Sequence, residues 1–378
     1  MAGVGTRVLV VNAGSSSLKL RVLGDGDEVD AGADLAAPRG TADNAEIKTA
    51  IESFGPVDAV GHRIVHGGTL YSAPVLVNAE VRRRLESLTD LAPLHQPKSL
   101  AALDAVSEVL PSAPAVACFD TAFHATLGAD AATFALPAEW RVRWSLRRFG
   151  FHGLSHAYAS RRAAQLAGRD PDAPDGLRVV TCHLGAGASL AAVRNGRSVD
   201  TTMGFTPNDG LVMATRSGSV DPGLLLWLEE HAHTPPKELA GTLEYRSGLA
   251  GLAGTSDMRE VLSRAAAGDE RGVLGRDVYL HRLRALIAGM AAAMDGLDVI
   301  VFTGGVGENS AEIRYRAAAG LGFLGVRVDE ARNELSKEER GGADDWEIGP
   351  DGGPVRAFRI AAREDKQIAG EVRAVLNL

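Results

Sequence analysis

Two segments of this sequence combine an apolar strand, a loop of small residues and a second strand. The apolar run Arg7–Val11 leads into Asn12-Ala13-Gly14-Ser15-Ser16-Ser17, and Val179–Cys182 leads into His183-Leu184-Gly185-Ala186-Gly187-Ala188-Ser189. Small residues let the backbone approach a ligand closely, and successive loop N–H groups form a concave site for oxyanions. One such loop is more often a turn. Two of them, one near the start of each half, predict a duplicated fold that binds a phosphorylated ligand between its halves.

A third glycine-rich segment follows the apolar run Val299–Phe302. It reads Thr303-Gly304-Gly305-Val306-Gly307-Glu308-Asn309 and precedes a helical pattern that begins at Ser310. A strand, a glycine loop and a helix N-terminus together favour nucleotide binding, because the helix end carries free N–H groups and partial positive charge. The sequence has neither a Walker A motif nor a GxGxxG after a strand. Lys19, just past the first loop, is the cation best placed to reach a phosphate.

Arginine and histidine lie among glycines in three further segments, which are 61–68, 147–156 and 214–218. The pairs His62/His66 and His152/His156 have the i,i+4 spacing of zinc ligands. Neither pair includes the Glu of HExxH, and glycines interrupt the helical pattern in both regions. A guanidinium fork matches carboxylate or phosphate oxygens, so these segments favour anion clamps over zinc sites.

Three oxygen-bearing side chains are candidates for a magnesium site. Asp120 directly follows the apolar run Ala115–Phe119, which places a carboxylate at the end of a strand, and Asn12 and Glu364 are the other two. Magnesium keeps most of its waters and needs only one or two carboxylates, so a sparse set of acids suffices. A helix N-cap is the alternative role for Asp120.

The elements that position these residues alternate between apolar runs ending in glycine loops and segments with helical period, which predicts an α/β fold. A chain of 378 residues, 45% hydrophobic and 23% charged, suits two globular domains. We place the domain boundary near Arg147 to Gly153, ahead of the second glycine loop. The C-terminal helical pattern around Ile368 to Leu376 is expected to pack back on the first domain.

Net charge, apolar segment length and cysteine spacing exclude several classes of partner and site. The net charge is -8 and the longest basic run is Arg82–Arg84, so nucleic acid is not expected as a partner. The N-terminus does not resemble a signal peptide, and the best membrane candidate, Ala285 to Met294, is too short to span a bilayer. Cys118 and Cys182 have no metal-ligand spacing and suit reduced, buried thiols. We therefore expect a cytoplasmic protein without a membrane partner.

These glycine-rich, arginine and histidine motifs resemble those of the acetokinase family, which belongs to the superfamily of acetate and sugar kinases, heat-shock proteins and actin. The resemblance extends from Val8 to about Ala369. It rests on many ordered motifs, namely Asn12 to Lys19, Gly61 to Gly68, Ala92 to His95, Phe119 to His124, Phe149 to His156, His183 to Ser189, Thr201 to Pro222, Asp257 to Arg259, Phe302 to Ser310, and Glu364.

The resemblance implies roles for individual residues. Asn12 and Glu364 would hold magnesium, and Lys19 would meet the ATP phosphates. The catalytic set would be Asp120, His152, Arg63 and Arg216, with both arginines clamping acetate and the transferring phosphoryl group. The acetate methyl would lie in an apolar pocket of Val65, Leu94, Phe151 and Pro207. The residues lining the nucleotide would be His183, Leu184, Gly185, Ala186, Gly187, Asp257, Met258, Arg259, Gly305, Val306, Gly307, Glu308 and Asn309.

The implied activity is reversible phosphoryl transfer from ATP to acetate, which gives acetyl phosphate and ADP. Mg²⁺ would be the cofactor, with Mn²⁺ able to substitute, and the chain would form a homodimer. The implied architecture is a duplicated two-domain, actin-like ATPase fold with its active site in the interdomain cleft. The first domain would span residues 1–150, completed by the helix at 361–378, and the second would span 151–360. Acetate is already ionised at pH 7, so Asp120 would organise the metal and its waters and would not remove a proton.

Three positions depart from the family pattern. Ala186 and Ser219 stand where Asn and Asp are common, so the loop at Ala186 must rely on backbone N–H groups, and Arg216 lacks one expected orienting partner. Asp365 follows Glu364 among arginines.

A propionate or butyrate kinase with the same machinery is an alternative function, since one methylene of the substrate contributes only ~1–3 kcal/mol to discrimination. An actin-like, non-metabolic ATPase is a remote one, because it gives no reason for Arg63, His152 and Arg216 to lie among glycines.

Overall fold

The structure, a computed structural model, describes residues 5–14, 17–37, 42–170 and 176–378. Ser15 and Ser16 of the first glycine-serine loop lie outside the described residues. The chain divides into two compact units. Unit 1 contains the described residues up to 125 together with 151–158 and 363–378, and unit 2 contains those at 126–150 and 159–362. The predicted domain boundaries themselves remain a prediction.

Unit 1 is built on one six-stranded mixed sheet. Its strands are β1 (Val8–Ala13), β2 (Ser17–Leu23), β3 (Val29–Ala36), β4 (Ala59–Ile64), β5 (Val75–Leu76) and β6 (Ala115–Phe119). Its helices are α1 (Asn44–Phe54), α2 (Ala79–Glu86), α3 (Gln96–Val109) and, at the C-terminal end of the described chain, α15 (Glu364–Leu376). Helices α4 to α14 lie between α3 and α15 in the sequence. Short 3₁₀ turns occupy Thr89–Leu91 and Ala122–Thr126.

Unit 2 contains a second six-stranded mixed sheet. Its strands are β7 (Arg178–Leu184), β8 (Ala188–Arg194), β9 (Arg197–Thr201), β10 (Val299–Thr303), β11 (Trp346–Glu347) and β12 (Arg356–Arg359). The helices between α3 and α15 are α4 (Ala129–Ala132), α5 (Ala138–Trp144), α6 (Gly153–Leu166), α7 (Pro222–His231), α8 (Pro236–Tyr245), α9 (Gly248–Ala253), α10 (Met258–Ala266), α11 (Glu270–Ala293), α12 (Gly304–Asn309), α13 (Ala311–Ala319) and α14 (Glu330–Glu334), with a 3₁₀ turn at Gly322–Leu324. Helix α6 begins in unit 1 and continues into unit 2.

The two sheets have the same topology. The strand order is β3-β2-β1-β4-β6-β5 in the first sheet and β9-β8-β7-β10-β12-β11 in the second. In each, the first three strands form an antiparallel meander, two parallel strands extend it, and a short antiparallel strand closes the edge. The predicted α/β class and the predicted duplication are therefore confirmed.

The sheet of unit 1 is covered on both faces. Helices α1 and α3 bury Ile47, Ile51 and Val106 against one face, and α15 buries Ile368 and Val372 against the other. Helix α15 lies very close to β4: a Cβ on Gly61 would stand 2.4 Å from Ile368 Cγ2 and 2.7 Å from Val372 Cγ2. Only glycine permits this approach, which brings the first turn of α15 toward the end of β4.

In unit 2, every residue of β10 is buried, as expected for a central parallel strand. Strands β7 and β8 extend further than the sequence predicted, so the intervening loop shrinks to Gly185, Ala186 and Gly187. The segment predicted as a glycine loop after β10 forms the short helix α12, and Ser310 then caps α13 through its hydroxyl. In the part of the chain that the structure describes, no helix is long and apolar enough to cross a membrane.

Candidate active site

Parallel strands bring Arg63 and Asp120 together in unit 1. Arg63 is the penultimate residue of β4 and Asp120 directly follows β6, and these strands pair in parallel with Ile64 opposite Phe119. The Asp120 N–H donates to the Ile64 carbonyl at 3.1 Å, which continues the ladder by one residue. Two side chains at the carboxyl ends of adjacent strands therefore meet at one edge of the sheet, which is where open α/β sheets bind ligands.

Four side chains make a connected ionic network at this edge. Arg63 Nη2 donates to Asp120 Oδ2 at 2.6 Å, and Arg63 Nε lies 3.1 Å from both Asp120 oxygens. Arg63 Nη1 donates to Asn12 Oδ1 at 3.1 Å, and Asn12 Nδ2 donates to Glu364 Oε2 at 2.8 Å. The Glu364 Oε2 also lies 3.8 Å from Arg63 Nε. The guanidinium is thus surrounded by two carboxylates and an amide oxygen.

Burial and charge act in opposite directions on these groups. The Asp120 side chain is only 1% exposed, and this burial raises the pKa of Asp120 above its usual value although the charge of Arg63 opposes the shift. Burial would lower the pKa of Arg63, but the carboxylates of Asp120 and Glu364 outweigh it and raise that pKa further. Because three N–H···O contacts join Arg63 to Asp120, we take both as ionised at neutral pH.

His152 directly precedes Gly153, which is hydrogen-bonded to the Asp120 backbone, and has a strained backbone conformation. Its φ of 56° places it in the left-handed region, which non-glycine residues rarely adopt. Hydrogen bonds hold the residues on both sides, since Gly153 N donates to the Asp120 carbonyl at 2.8 Å and the Phe151 carbonyl lies 3.0 Å from His124 Nε2. A carbonyl can only accept, so His124 carries its proton on Nε2. The fold therefore imposes the conformation of His152.

The residues predicted to form an apolar pocket are distributed across the fold. Val65 and Phe151 are buried in unit 1, where the ring of His66 meets Phe151 edge-on. Leu94 is 44% exposed. Pro207 belongs to unit 2 and is half-buried. Lys19 is exposed on β2, directly opposite Asn12 in the antiparallel pair of β1 and β2.

Unit 2 contains a cavity of about 800 Å³ next to its central strands. Eight of the predicted nucleotide-lining residues line it, and they are Gly185, Ala186, Asp257, Met258, Arg259, Gly305, Val306 and Asn309. The sequence interpretation missed further lining residues, which are Ala214, Leu249, Ser256, Leu262, Tyr279, Ser310, Ala311 and Glu312. Several of these, such as Leu249 and Tyr279, carry an apolar pattern that is indistinguishable in sequence from ordinary core.

The other predicted nucleotide residues do not line this cavity. His183 and Leu184 end strand β7, and Leu184 is fully buried, as is Gly307 in α12. Gly187 forms the far end of the three-residue loop, where its carbonyl accepts from Gly185 N at 3.1 Å.

Glu308 is turned inward. Its Oε1 accepts from Gly304 N at 3.1 Å and from Ala362 N at 2.9 Å, and its Oε2 lies 3.5 Å from Arg359 Nη2. The buried Arg314 donates to the Glu308 carbonyl at 2.8 Å. Within unit 2, Glu308 therefore anchors the loop that carries α12.

Arg216 pairs with a residue that the sequence interpretation did not select. Its Nε donates to Glu244 Oε1 at 2.8 Å, with both side chains largely buried. Ser219, which stands where an Asp is common in the family, donates to Asp209 Oδ1 at 2.6 Å and accepts from Gly210 N at 3.1 Å. Nothing in the sequence marks Glu244, because it belongs to an ordinary amphipathic helix 28 residues after Arg216.

A duplicated α/β fold with glycine-rich loops at strand ends, a buried arginine–carboxylate network and a large cavity defines a nucleotide-dependent phosphotransferase. Residues 27–370 match the family model of the acetokinase family, and the chain belongs to that family. It is 44% identical to the acetate kinase of Microcystis aeruginosa over 322 residues, which cover 85% of this chain and 78% of that protein. Over 329 residues it is 42% identical to the acetate kinase of Anoxybacillus flavithermus, covering 87% and 81% of the two chains.

Solved structures agree with this assignment. The acetate kinase of Porphyromonas gingivalis superposes with a TM-score of 0.88 at 33% identity, covering 98% of this chain and 100% of that one. A propionate kinase from Francisella tularensis gives 0.86 at 31% identity, with the same coverage of the two chains. The predicted family resemblance is confirmed, and the chain is a phosphotransferase with the acetate kinase activity of its family, for which ATP is the co-substrate.

Proposed function

We propose that the network of Arg63, Asp120, Asn12 and Glu364 is the phosphoryl-transfer centre of this protein, acting together with His152 and Arg216. The observation that carries the proposal is the Arg63–Asp120 pair, which is buried at a strand edge and held by three N–H···O contacts. A cation fixed in a poorly solvated position is suited to stabilise the negative charge of a transferring phosphoryl group.

In the proposed reaction, an oxygen of acetate attacks the γ-phosphorus of ATP. The new bond is the O–P bond of acetyl phosphate, and the bond between the γ-phosphorus and its bridging oxygen breaks, leaving ADP. Acetate is ionised at pH 7, so no base needs to remove a proton from it. The work of the protein is therefore to hold two anions in line, which we assign to Arg63 and Arg216, with His152 donating to the developing charge.

A magnesium ion would suit the same network. Asn12, Glu364 and Asp120 offer amide and carboxylate oxygens, the donors that Mg²⁺ prefers, and one or two carboxylates suffice for it. Among the described residues, no group of three or more His, Cys, Asp or Glu is arranged to hold a metal. We propose that Asn12 and Glu364 hold Mg²⁺, or Mn²⁺ in its place, with Asp120 orienting its waters. The ion would supply charge neutralisation for the phosphates.

For the nucleotide, we propose the 800 Å³ cavity of unit 2. Gly185, Ala186 and Gly305 let the backbone approach the phosphates, and Met258 offers an apolar face for the base. Lys19 is proposed to meet a phosphate from the first hairpin. His183, Leu184, Gly187, Gly307 and Glu308 would then support the nucleotide loops from behind. The acetate methyl is assigned to Val65, Leu94, Phe151 and Pro207.

The test is acetate-dependent ADP formation by the purified protein, with and without Mg²⁺, in wild type and in Asp120→Asn. The variant keeps the shape of the site but weakens its charge, so kcat should fall sharply while the KM for ATP changes little. An unchanged kcat at saturating Mg²⁺ would remove Asp120 from the proposal. The ratio of kcat/KM for acetate, propionate and butyrate measures how strongly the protein prefers acetate over the longer carboxylates.

We also propose that the chain acts as a cytoplasmic homodimer whose domains span 1–150 with 361–378, and 151–360. Sedimentation equilibrium of the purified protein measures the mass directly, and a monomer mass would contradict the dimer. Limited proteolysis with and without MgADP tests the domain division through the position of the first cleavages.

A further inference from the structure

The loop that carries Arg216 is hydrogen-bonded to the C-terminal end of α8 and to Ser247, which precedes α9. The Thr215 hydroxyl donates to the Glu244 carbonyl at 2.8 Å, and Ser217 N donates to the Leu243 carbonyl at 3.1 Å. In return, Ser247 N donates to the Thr215 carbonyl at 2.9 Å. The residues on both sides of Arg216 are therefore attached to the end of α8.

The start of α9 completes this attachment. Gly248 has a φ of 59°, and a Cβ on it would lie 2.2 Å from the Met213 carbonyl oxygen and 2.6 Å from that of Arg216. A side chain at this position would push the Arg216 loop away. The close packing of the two segments is thus built into the backbone.

The same loop reaches the proposed nucleotide cavity. Ala214 and Leu249 line that cavity, and Ala214 N donates to the Ala186 carbonyl at 3.0 Å. Leu249 N in turn donates to the Met213 carbonyl at 2.9 Å. Arg216 is therefore two residues away from Ala214 in the cavity wall, on a loop that is hydrogen-bonded to the loop of Gly185, Ala186 and Gly187.

The carboxylate of Glu244 meets the guanidinium of Arg216 directly, with Oε1 at 2.8 Å from Arg216 Nε. Both side chains are largely buried, at 16% exposure for Arg216 and 10% for Glu244. A planar guanidinium held through Nε has its plane and direction defined, and a buried pair is screened little by solvent.

We propose that Glu244 is a positioning residue for phosphoryl transfer, which acts by orienting the guanidinium of Arg216. The inference rests on the proposed role of Arg216 in the reaction. Glu244 touches no reacting atom in this scheme.

The experiment compares Glu244→Ala, Glu244→Gln and Arg216→Ala in steady-state kinetics. In Glu244→Ala the orienting acceptor is lost, so kcat/KM for acetate should fall about 100-fold, the cost of a misplaced group in an active site. Glu244→Gln keeps an Oε1 that accepts the same N–H and should retain activity to within about tenfold of wild type. The KM for ATP should change less than about threefold in both variants. Glu238→Ala, an exposed site on the same helix, is the matched control and should behave as wild type.

A double-mutant cycle separates orientation from a general effect on folding. In the Arg216→Lys background, the additional change Glu244→Ala should cost less than about twofold, because the group that Glu244 orients is already gone. Equal losses in both backgrounds would overturn the inference, as would wild-type kcat/KM in Glu244→Ala and Glu244→Gln. If Arg216→Ala itself kept full activity, the proposed role of Arg216 would fail first. If Glu244→Ala does not fold, Glu244→Asp takes its place in the cycle, because the shorter side chain withdraws the carboxylate from Arg216 Nε. A loss of kcat/KM of at least about tenfold that disappears in the Arg216→Lys background is then expected, and wild-type kcat/KM in Glu244→Asp would overturn the inference.

Discussion

At the scale of single residues, one guanidinium organises the proposed catalytic centre. Arg63 contacts Asp120, Asn12 and Glu364, which come from three distant parts of the chain. Removing one member of a buried ionic network leaves the others uncompensated, and this costs more than the pair itself contributes. Arg63 should therefore matter for stability as well as for activity.

The variant Arg63→Ala should lose at least about 100-fold in kcat, because a fixed donor to developing charge is removed. Its free energy of unfolding should fall by about 3–5 kcal/mol, since Asp120 and Glu364 then stand as two like charges without a cation. Urea denaturation and ADP release assays measure the two effects. Arg84→Ala is the control. Arg84 forms an exposed ion pair with Glu80 on α2, so its removal should change the free energy of unfolding by less than about 1 kcal/mol.

The backbone of His152 gives a second prediction at this scale. Asn tolerates the left-handed conformation better than Ala, because its short polar side chain can hydrogen-bond locally. Both His152→Asn and His152→Ala should lose activity, but the Asn variant should be more stable by about 1 kcal/mol. Equal stability of the two variants would show that the φ of 56° carries no strain.

At the scale of elements, helix α15 completes the proposed site from the far end of the chain. Its first residue, Glu364, joins the network at β1 and β4, while Ile368 and Val372 pack over Gly61. The position of Glu364 thus depends on how closely α15 approaches β4. A side chain added at Gly61 therefore tests whether the packing of α15 on β4 positions Glu364.

Gly61→Ala should force α15 away from β4, at a cost of about 1–3 kcal/mol for overpacking, and should lower kcat by displacing Glu364. The matched change is Gly370→Ala on α15 itself, where a Cβ meets nothing within 4 Å. That variant should gain about 0.5–1 kcal/mol from improved helix propensity. Thermal unfolding and kcat measure both, and a Gly61→Ala enzyme with wild-type values would contradict the packing argument.

At the scale of the whole molecule, buried histidines make stability depend on pH. Burial lowers the pKa of His62, His66 and His124 to about 4. The charge of Asp104 partly opposes this shift at His62, and the Phe151 carbonyl does so at His124. Their ordinary value in an unfolded chain is about 6.5, so between pH 6.5 and 4 the unfolded state binds more protons than the folded state. Stability is therefore complete above pH 6.5 and is lost progressively as the pH falls toward 4.

Protonation of each of these histidines in the unfolded chain should lower the free energy of unfolding by up to roughly 3 kcal/mol at pH 4. One extra proton bound by the unfolded state changes that free energy by about 1.4 kcal/mol per pH unit. His62→Leu should reduce the slope of the free energy of unfolding against pH by the contribution of one proton, because the Leu side chain cannot be protonated in either state. Urea midpoints at several values between pH 7.5 and 4.5 give the slope. His281→Gln, exposed on α11, serves as the control, and a slope in His62→Leu that equals wild type would refute the assignment.

Local signals in the sequence determined the class of fold and much of the chemistry. Apolar runs, glycine-serine loops and helix periods predicted the duplicated α/β architecture, because such signals act between residues a few positions apart. They also singled out Arg63, Asp120, Asn12 and Glu364, and the family resemblance supplied their roles. Strand ends were misjudged around Gly185, where β7 and β8 extend the ladder by pairing with each other, and such pairing is invisible in either strand alone.

Only the tertiary structure decided which of these residues meet. Asn12 and Glu364 are 352 positions apart and touch because α15 packs on β4. Glu244 reaches Arg216 because α8 ends beside its loop, and Glu308 turns inward because Gly304 and Ala362 present N–H groups to it. The left-handed backbone of His152 follows from hydrogen bonds on both sides of it. These contacts depend on packing between elements that are distant in the chain, and no local pattern encodes the direction in which a side chain finally points.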